Sequence, residues 1–328
     1  MTNPGPAALE VDALHVSFSL AGGGRLRAVD GVSLTVPAAG ALGLVGESGC
    51  GKTTLARTIV GLTRPGSGQI RLDGEELGTR RSKAQQRAVQ MVFQDPYSSL
   101  NPRLTVRRVL TELLAAHGLA RGAQAAQRSA ELIGQVGLPP DSLDRLPGSF
   151  SGGQRQRIAI ARALAVQPRV VVADEPVSAL DVSVQALILG TFRALREEHG
   201  IGLLLISHNL AVVREVCEQV AVMYLGRIVE VADRDELFGN PRHPYTRALL
   251  AAAPRLHAAP APVPIRLEVP RDTSRPAGCA FHPRCPLGTD LCRTQEPELM
   301  PVTGPRSHLA ACHYRDDPAG SAPDGPSP

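Results

Sequence analysis

The chain has 328 residues, a formal net charge of +4 at pH 7 and 43% hydrophobic residues, with only 3% aromatics and no Trp. That length suits roughly two domains, the core must be mostly Val, Leu, Ile and Ala, and the mild, scattered basic charge argues against a dedicated nucleic-acid binder. No run approaches the ~18–20 apolar residues of a membrane span, and the opening Met1-Thr2-Asn3-Pro4-Gly5-Pro6 lacks a charged and apolar signal segment, so a cytoplasmic chain is expected.

In chain order, residues 8 to 45 read as strands and turns, with Leu14–Phe18 and Gly31–Val36 separated by the loop Ala21-Gly22-Gly23-Gly24. The apolar stretch Ala41–Val45 then runs into Gly46-Glu47-Ser48-Gly49-Cys50-Gly51-Lys52-Thr53-Thr54, and Leu55–Val60 continues as a helix. This G-x-x-x-x-G-K-T spacing, between strand and helix, is that of a phosphate-binding loop. Its glycines let backbone N–H groups converge on phosphate oxygens at a helix N-terminus. Lys52 is placed to reach the β- and γ-phosphates, and the Thr53 hydroxyl to ligate Mg²⁺. The competing reading is a glycine-rich turn that binds nothing.

Gln69–Gly74 reads as a strand and turn, and Val89–Phe93 as a short buried strand ending at Gln94, whose neutral amide could touch both Mg²⁺ and water. From about 104 to 167 the pattern is helical, near Val106–His117, Ala123–Val136 and Gly153–Val166. Ser151-Gly152-Gly153-Gln154 opens the last of these. Ser is a good N-cap, and the two glycines bare the helix end for an anion, although the same four residues could be an ordinary helix start. Val170–Asp174 and Gly202–Ser207 are continuous apolar runs, as in strands buried on both faces of a parallel sheet. The first delivers Asp174 and Glu175, a Mg²⁺-shell acid beside a water-activating carboxylate. The second delivers His208 to the ligand-facing edge of the sheet. Val220–Val231 reads as two further strands around Gly226, and a Pro-rich linker follows at Ala259–Pro264.

Together these segments resemble the ATP-binding cassette (ABC) family over about residues 8 to 235. Gly46–Thr53 matches its Walker A, Gln94 its Q-loop, Ser151–Gln154 its signature and Val170–Asp174 its Walker B. Glu175 stands at the catalytic glutamate, Ser178-Ala179-Leu180-Asp181 at the D-loop and His208 at the switch histidine. Phe150 departs from the Leu of the general pattern, and Phe18 is the candidate for stacking on adenine. The resemblance implies an α/β P-loop NTPase fold: a RecA-like core with an antiparallel β subdomain and a helical subdomain at about 96–167. It also implies that two such domains sandwich two ATP molecules head to tail, each phosphate loop facing the partner's Ser-Gly-Gly-Gln.

Phe93–Arg103 and His243–Leu250 further resemble dipeptide/oligopeptide importer ATPases, as does the tail from Gly278 through Cys285, Cys292, Pro297, His308 and Cys312-His313. This extends the likeness over 236–315 and leaves 316–328, rich in Pro, Gly, Ser and Asp, as a disordered tail. The implied partners are a second, different ATPase subunit, two membrane permeases and an extracytoplasmic binding protein, with the chain at the cytoplasmic face of the membrane. Dipeptides, longer peptides, nickel chelates and glutathione-like solutes all fit. A soluble, non-transport ABC ATPase is the reading of another class; such proteins need a long coiled coil or two cassettes in one chain, and this chain has neither.

Four of the six cysteines, Cys279, Cys285, Cys292 and Cys312, crowd the last fifth of the chain. In a reducing cytosol that points to metal before disulfides. The spacings fit neither the tight pairs of a zinc ribbon nor common ferredoxin patterns. The importer resemblance implies a 4Fe–4S cluster; structural zinc and uncoordinated thiols are the alternatives, with His282, His308 and His313 as possible substitute ligands. Replacing one cysteine is expected to loosen the extension and leave nucleotide binding largely intact.

Overall fold

The computed structural model describes residues 7–20, 23–95, 100–178, 180–252, 276–304 and 307–316. Residues 96–99 of the Phe93–Arg103 stretch, Ala179 of the D-loop, the Pro-rich linker and residues 317–328 lie outside the described residues.

Strands β1 (Ala7–Ser19), β2 (Arg25–Pro37), β4 (Ser67–Leu72) and β5 (Glu75–Glu76) form an antiparallel sheet in the order β2-β1-β4-β5. The second sheet has eight strands in the order β11-β12-β10-β9-β3-β8-β7-β6. Its parallel part comprises β3 (Ala41–Val45), β6 (Val89–Val92), β7 (Val170–Asp174), β8 (Gly202–Ile206) and β9 (Gln219–Tyr224). All residues of β3, β7 and β8 are buried, which is why their sequences read as unbroken apolar runs.

Alternate residues of these strands serve two cores. Val171, Ala173, Leu203 and Leu205 face a cluster that includes Leu110, Leu132 and Ile158 of the helices Val106–Ala116, Gly122–Gln135 and Gly152–Ala165. Val170, Val172, Leu204 and Ile206 face Leu9, Val11 and Val29 of the antiparallel sheet and Leu55 and Ile59 of helix Lys52–Ile59. Phe150, the departure from the family pattern, is 3% exposed and packs in the helical core, where Arg145 lies 4.4 Å over its ring. Among the described residues no helix is long and apolar enough to cross a membrane.

The extension closes one end of the large sheet. β12 (Leu309–Ala310) pairs antiparallel with β10 (Arg227–Asp233), and β11 (Met300–Pro301) pairs with β12. Beneath this seam His308 and Glu230, both wholly buried, meet at 2.7 Å. Glu230 also accepts from the backbone N–H groups of Arg242 and His243. Burial alone would raise the Glu230 carboxyl, but the His308 ring and these amides outweigh it and hold it below the usual carboxylate range.

Candidate nucleotide site

Four parallel strands end on one edge of the sheet, and each delivers a piece of the site. β3 runs into the loop at 46–54, β6 into Phe93-Gln94, β7 into Asp174-Glu175 and β8 into Ser207-His208. Register does the alignment. Asp174 lies opposite Ile206, the Glu175 N–H donates to the Ile206 carbonyl at 2.9 Å, and the Ser207 N–H to the Leu44 carbonyl at 3.2 Å. This carboxyl edge is where open α/β sheets bind ligands.

The loop is built as its sequence requires. Gly51 caps helix Lys52–Ile59 at φ 111°, and a Cβ there would come 2.1 Å from the Ala28 carbonyl oxygen, so no other residue fits. No side chain caps this helix, which leaves its first N–H groups to a ligand. Lys52 is 6% exposed and points back into the loop, its Nζ donating to the carbonyls of Gly46 at 2.7 Å and Glu47 at 2.9 Å. Cys50 is buried beside it, its Sγ 3.8 Å from that amine, and burial pushes the thiol up.

Thr53 Oγ1 donates to Asp174 Oδ1 at 3.4 Å. Asp174 is 3% exposed; burial raises its carboxyl, Thr53 opposes this and the Glu175 charge adds to it. A buried carboxylate next to a hydroxyl is the hard oxygen donor set that suits Mg²⁺. Glu175 stands at φ 47°, an uncommon backbone state for a non-glycine residue, one position past the strand. There its Oε2 accepts from Gln94 Nε2 at 3.2 Å and lies 3.1 Å from His208 Nδ1. Gln94 and His208, picked singly from the sequence, thus converge on the Glu175 carboxylate.

Ser151 caps helix Gly152–Ala165 with a full capping box: its Oγ accepts from the Gln154 N–H at 3.3 Å, and Gln154 Oε1 from the Ser151 N–H at 3.0 Å. Gly153 is obligatory, because a Cβ there would meet Val184 Cγ1 at 2.3 Å. Gly152 and Gly153 lie beside Leu180 and Val184, at the start of helix Val182–His199, which Asp181 caps. Among the described residues no hydrogen bond joins Ser151–Gln154 to the loop at 46–54. Phe18 is 42% exposed and pairs with Leu26 at the turn end of the β1–β2 hairpin.

Two residues of the site escaped sequence reasoning. Tyr245 Oη accepts from the Glu47 N–H at 2.8 Å. Arg284 makes two hydrogen bonds to the Glu47 carboxylate, at 2.8 and 2.9 Å. Both were legible only as parts of the importer-type segments, with no sign that they reach the loop.

All four late cysteines line one small cavity, with His243, Phe281, His282 and His313. They are free thiols. Burial pushes Cys285 up to about 12 and Cys312 up to about 11. Among the described residues no group of three or more His, Cys, Asp or Glu is arranged to hold a metal ion. His308 Nε2 is engaged by Glu230 while its buried Nδ1 has no partner, and His282 Nδ1 is held by the Cys279 carbonyl at 2.8 Å, an arrangement that leaves the other ring nitrogen for a ligand.

Comparison with known proteins places the chain in a family. The family described as "ABC transporter" matches residues 29–178, and "Oligopeptide/dipeptide transporter, C-terminal region" matches residues 229–292. A Sinorhizobium fredii protein named "probable peptide ABC transporter ATP-binding protein" is 51% identical over 307 residues, covering 92% of this chain and 86% of its own. A di/tripeptide transport ATP-binding protein of Pseudomonas aeruginosa is 46% identical, covering 90% and 92%. An oligopeptide transport ATP-binding protein of Bacillus subtilis is 43% identical, covering 88% and 90%. Among solved structures, the Clostridium perfringens cbiO1 subunit of an ABC transporter complex superposes with a TM-score of 0.63 at 25% identity, covering 72% of this chain and 92% of that one. A dimeric ATP-binding cassette in a post-hydrolysis state with ADP and Pi superposes with a TM-score of 0.61 at 26% identity, covering 69% and 98%.

Proposed function

The chain belongs to the ATP-binding subunits of ABC transporters, and from that premise we propose that it hydrolyses MgATP to drive import of di- and oligopeptides through partner permeases. The observation that carries the reading is the convergence of Gln94 and His208 on Glu175, one residue past Asp174 and across from the phosphate loop. In this reading residues 46–54 cradle the phosphates and Lys52 neutralises the β- and γ-groups. Thr53, Asp174 and Gln94 hold Mg²⁺, which supplies charge neutralisation at the phosphate oxygens. Glu175 takes a proton from the attacking water, whose oxygen bonds to the γ-phosphorus as the bond to the β–γ bridging oxygen breaks, giving ADP and phosphate. His208 steadies Glu175 and the γ-phosphate. Phe18 is kept as the adenine platform.

Ser151–Gln154 makes no hydrogen bond to the chain's own phosphate loop, which supports a head-to-tail sandwich in which it faces the nucleotide of a second ATPase subunit, here proposed as a different sister chain. The cassette spans 8–235 with its helical part at about 96–167, the extension 236–315, and 316–328 is a tail. Two permeases and an extracytoplasmic binding protein complete the assembly at the cytoplasmic face of the membrane. For the four cysteines we keep a structural 4Fe–4S cluster ahead of zinc. The four thiols line one cavity, and the importer resemblance favours iron–sulfur there.

Purification of the native complex tests the function. Co-isolated permeases, peptide-stimulated ATP turnover and bound peptide are the expected result. ATPase activity with no integral partner would favour the soluble class, and stimulation by a nickel chelate or a glutathione-like solute would move the substrate class.

A further inference from the structure

We infer that Arg284 is a positioning residue for the phosphate loop, transmitting the order of the cysteine-lined segment to the bound nucleotide through Glu47. The inference rests on the ATP-binding reading above. Glu47 is the second residue of the loop, and it is held twice from the far end of the chain. Its carboxylate takes the bidentate pair from Arg284, 237 positions away, and its N–H donates to the Tyr245 hydroxyl. Its carbonyl in turn accepts from Lys52 Nζ at 2.9 Å. One residue therefore links Arg284 to the cation that meets the phosphates.

The link is stiff. The Arg284 side chain is 5% exposed, and its guanidinium lies 5.7 Å from the ring centres of both Tyr224 and Phe281. Tyr224, Tyr245 and Phe281 pack on one another with centroids 4.6 to 5.5 Å apart, so a chain that is 3% aromatic spends three rings at this joint. The Glu47 carboxylate pushes the guanidinium further above its ordinary range. A buried charge of this kind is held by its partner, and a fork-to-fork pair fixes direction as well as distance.

The other end of the link is the cysteine segment. Arg284 closes the short 3₁₀ turn His282–Arg284, flanked by Cys279 and Cys285. The Arg284 N–H donates to the Phe281 carbonyl, that of Cys285 to His282, and that of Cys279 to Cys292. Displacing the cysteines displaces Arg284. Arg284 reaches the loop through the Glu47 carboxylate, so it acts through Glu47 and not on the reaction itself.

The test measures MgATP affinity of the full-length chain by calorimetry, and KM and kcat in the assembled transporter. Arg284→Ala is expected to raise Kd and KM about tenfold while kcat changes less than about threefold, the pattern of lost ground-state binding. Arg284→Lys, which keeps the charge and loses the fork, recovers part of the affinity. Glu47→Gln weakens binding in the same direction, and the double variant Arg284→Ala/Glu47→Gln is no weaker than Arg284→Ala alone, because both act through one pair. Unchanged KM in Arg284→Ala, or fully additive losses in the double variant, overturns the inference. Should Arg284→Ala fail to fold, Arg284→Lys and Glu47→Gln decide: wild-type KM in both overturns it. Wild-type protein that bound no MgATP would remove the nucleotide reading together with the brace, whereas wild-type binding with unaffected variants removes the brace alone.

Discussion

The phosphate loop and the cysteine segment meet at Glu47, but they are held in place by different physics. The loop hangs between a strand with all five residues buried and a helix whose Leu55 and Ile59 are fully buried, so apolar packing fixes both its ends. The cysteine segment has two two-residue strands, one 3₁₀ turn and a five-residue helix. Beside the burial of Ala280 and Phe281 in the main core, polar and ionic ties hold it to the cassette: His308 to Glu230, Arg284 to Glu47, and Arg227 to both Asp30 and Glu296. Packing is forgiving of small changes in a side chain. A buried charged pair is not, because removing one partner strands the other. The weakly packed segment is therefore the one whose single substitutions should travel furthest.

The largest effects belong to the loop and test the comparison from its strong side. Lys52→Ala removes the buried ammonium between the Gly46 and Glu47 carbonyls without touching either flanking core. The folded chain is expected to lose tight MgATP binding while its melting temperature stays near wild type, measured by calorimetry and circular dichroism. Next in size, Glu175→Gln keeps the shape between Gln94 and His208 but cannot take the proton. Turnover in the assembled transporter should fall about 10²–10⁴-fold with MgATP still bound. Undiminished turnover would move the base away from Glu175.

Much of this was legible in the sequence, and the reason is local. A strand, a glycine loop and a helix are neighbours in the chain, as are Val170–Asp174 and Glu175, and Ser151 and Gln154 of the capping box. The helices expected near Val106–His117, Ala123–Val136 and Gly153–Val166 form at Val106–Ala116, Gly122–Gln135 and Gly152–Ala165. What could not be read is what joins distant residues by shape. The Arg284–Glu47 pair spans 237 positions, and β12 joins the sheet through β10 with only two residues, too short for any periodic pattern. The expectation that a cysteine substitution spares nucleotide binding followed from seeing a linker between the two regions. It did not foresee that Arg284, beside Cys285, ends on the phosphate loop.

A third prediction reverses that expectation and is intermediate in size. Cys292 is 6% exposed, faces the shared cavity, and its carbonyl accepts from the Cys279 N–H at 2.8 Å. Cys292→Ser places a hydroxyl where a buried thiol lies 3.6 Å from Thr289 Oγ1, and because a shorter C–O bond draws the group away from that partner, the change costs up to about 1–3 kcal/mol. Limited proteolysis should cut the extension faster than in wild type. MgATP affinity should fall by about fivefold, less than with Arg284→Ala, which severs the link itself. Faster proteolysis with wild-type affinity would mean that the segment loosens without moving Glu47.

The smallest effect is a pH dependence at the same joint. His243 is wholly buried; burial pushes its ring down to about 4, with Glu230 opposing and Arg247 adding to the shift. Geometry agrees with a neutral ring, because His243 Nδ1 accepts from the Tyr245 N–H at 3.0 Å and cannot carry a proton while doing so. The unfolded chain takes up that proton near the ordinary histidine value of 6.5 and the folded chain only near 4. Stability due to the neutral ring is thus fully present above about pH 6.5 and drains away as the pH falls toward 4, amounting to about 1 kcal/mol lost by pH 5.5. Glu230, held low, adds its own loss further down, as the pH drops below the ordinary carboxylate range and through its depressed value. Protonating His243 would free the Tyr245 N–H and slacken the helix start that presents the Tyr245 hydroxyl to Glu47. His243→Asn keeps a side-chain acceptor and removes the titration. Melting curves between pH 7.5 and 5.5 should show a fall for the wild type that the Asn variant lacks, with MgATP affinity following the same difference. Parallel pH profiles for the two proteins would assign the acid sensitivity to other groups and leave His243 a packing residue only.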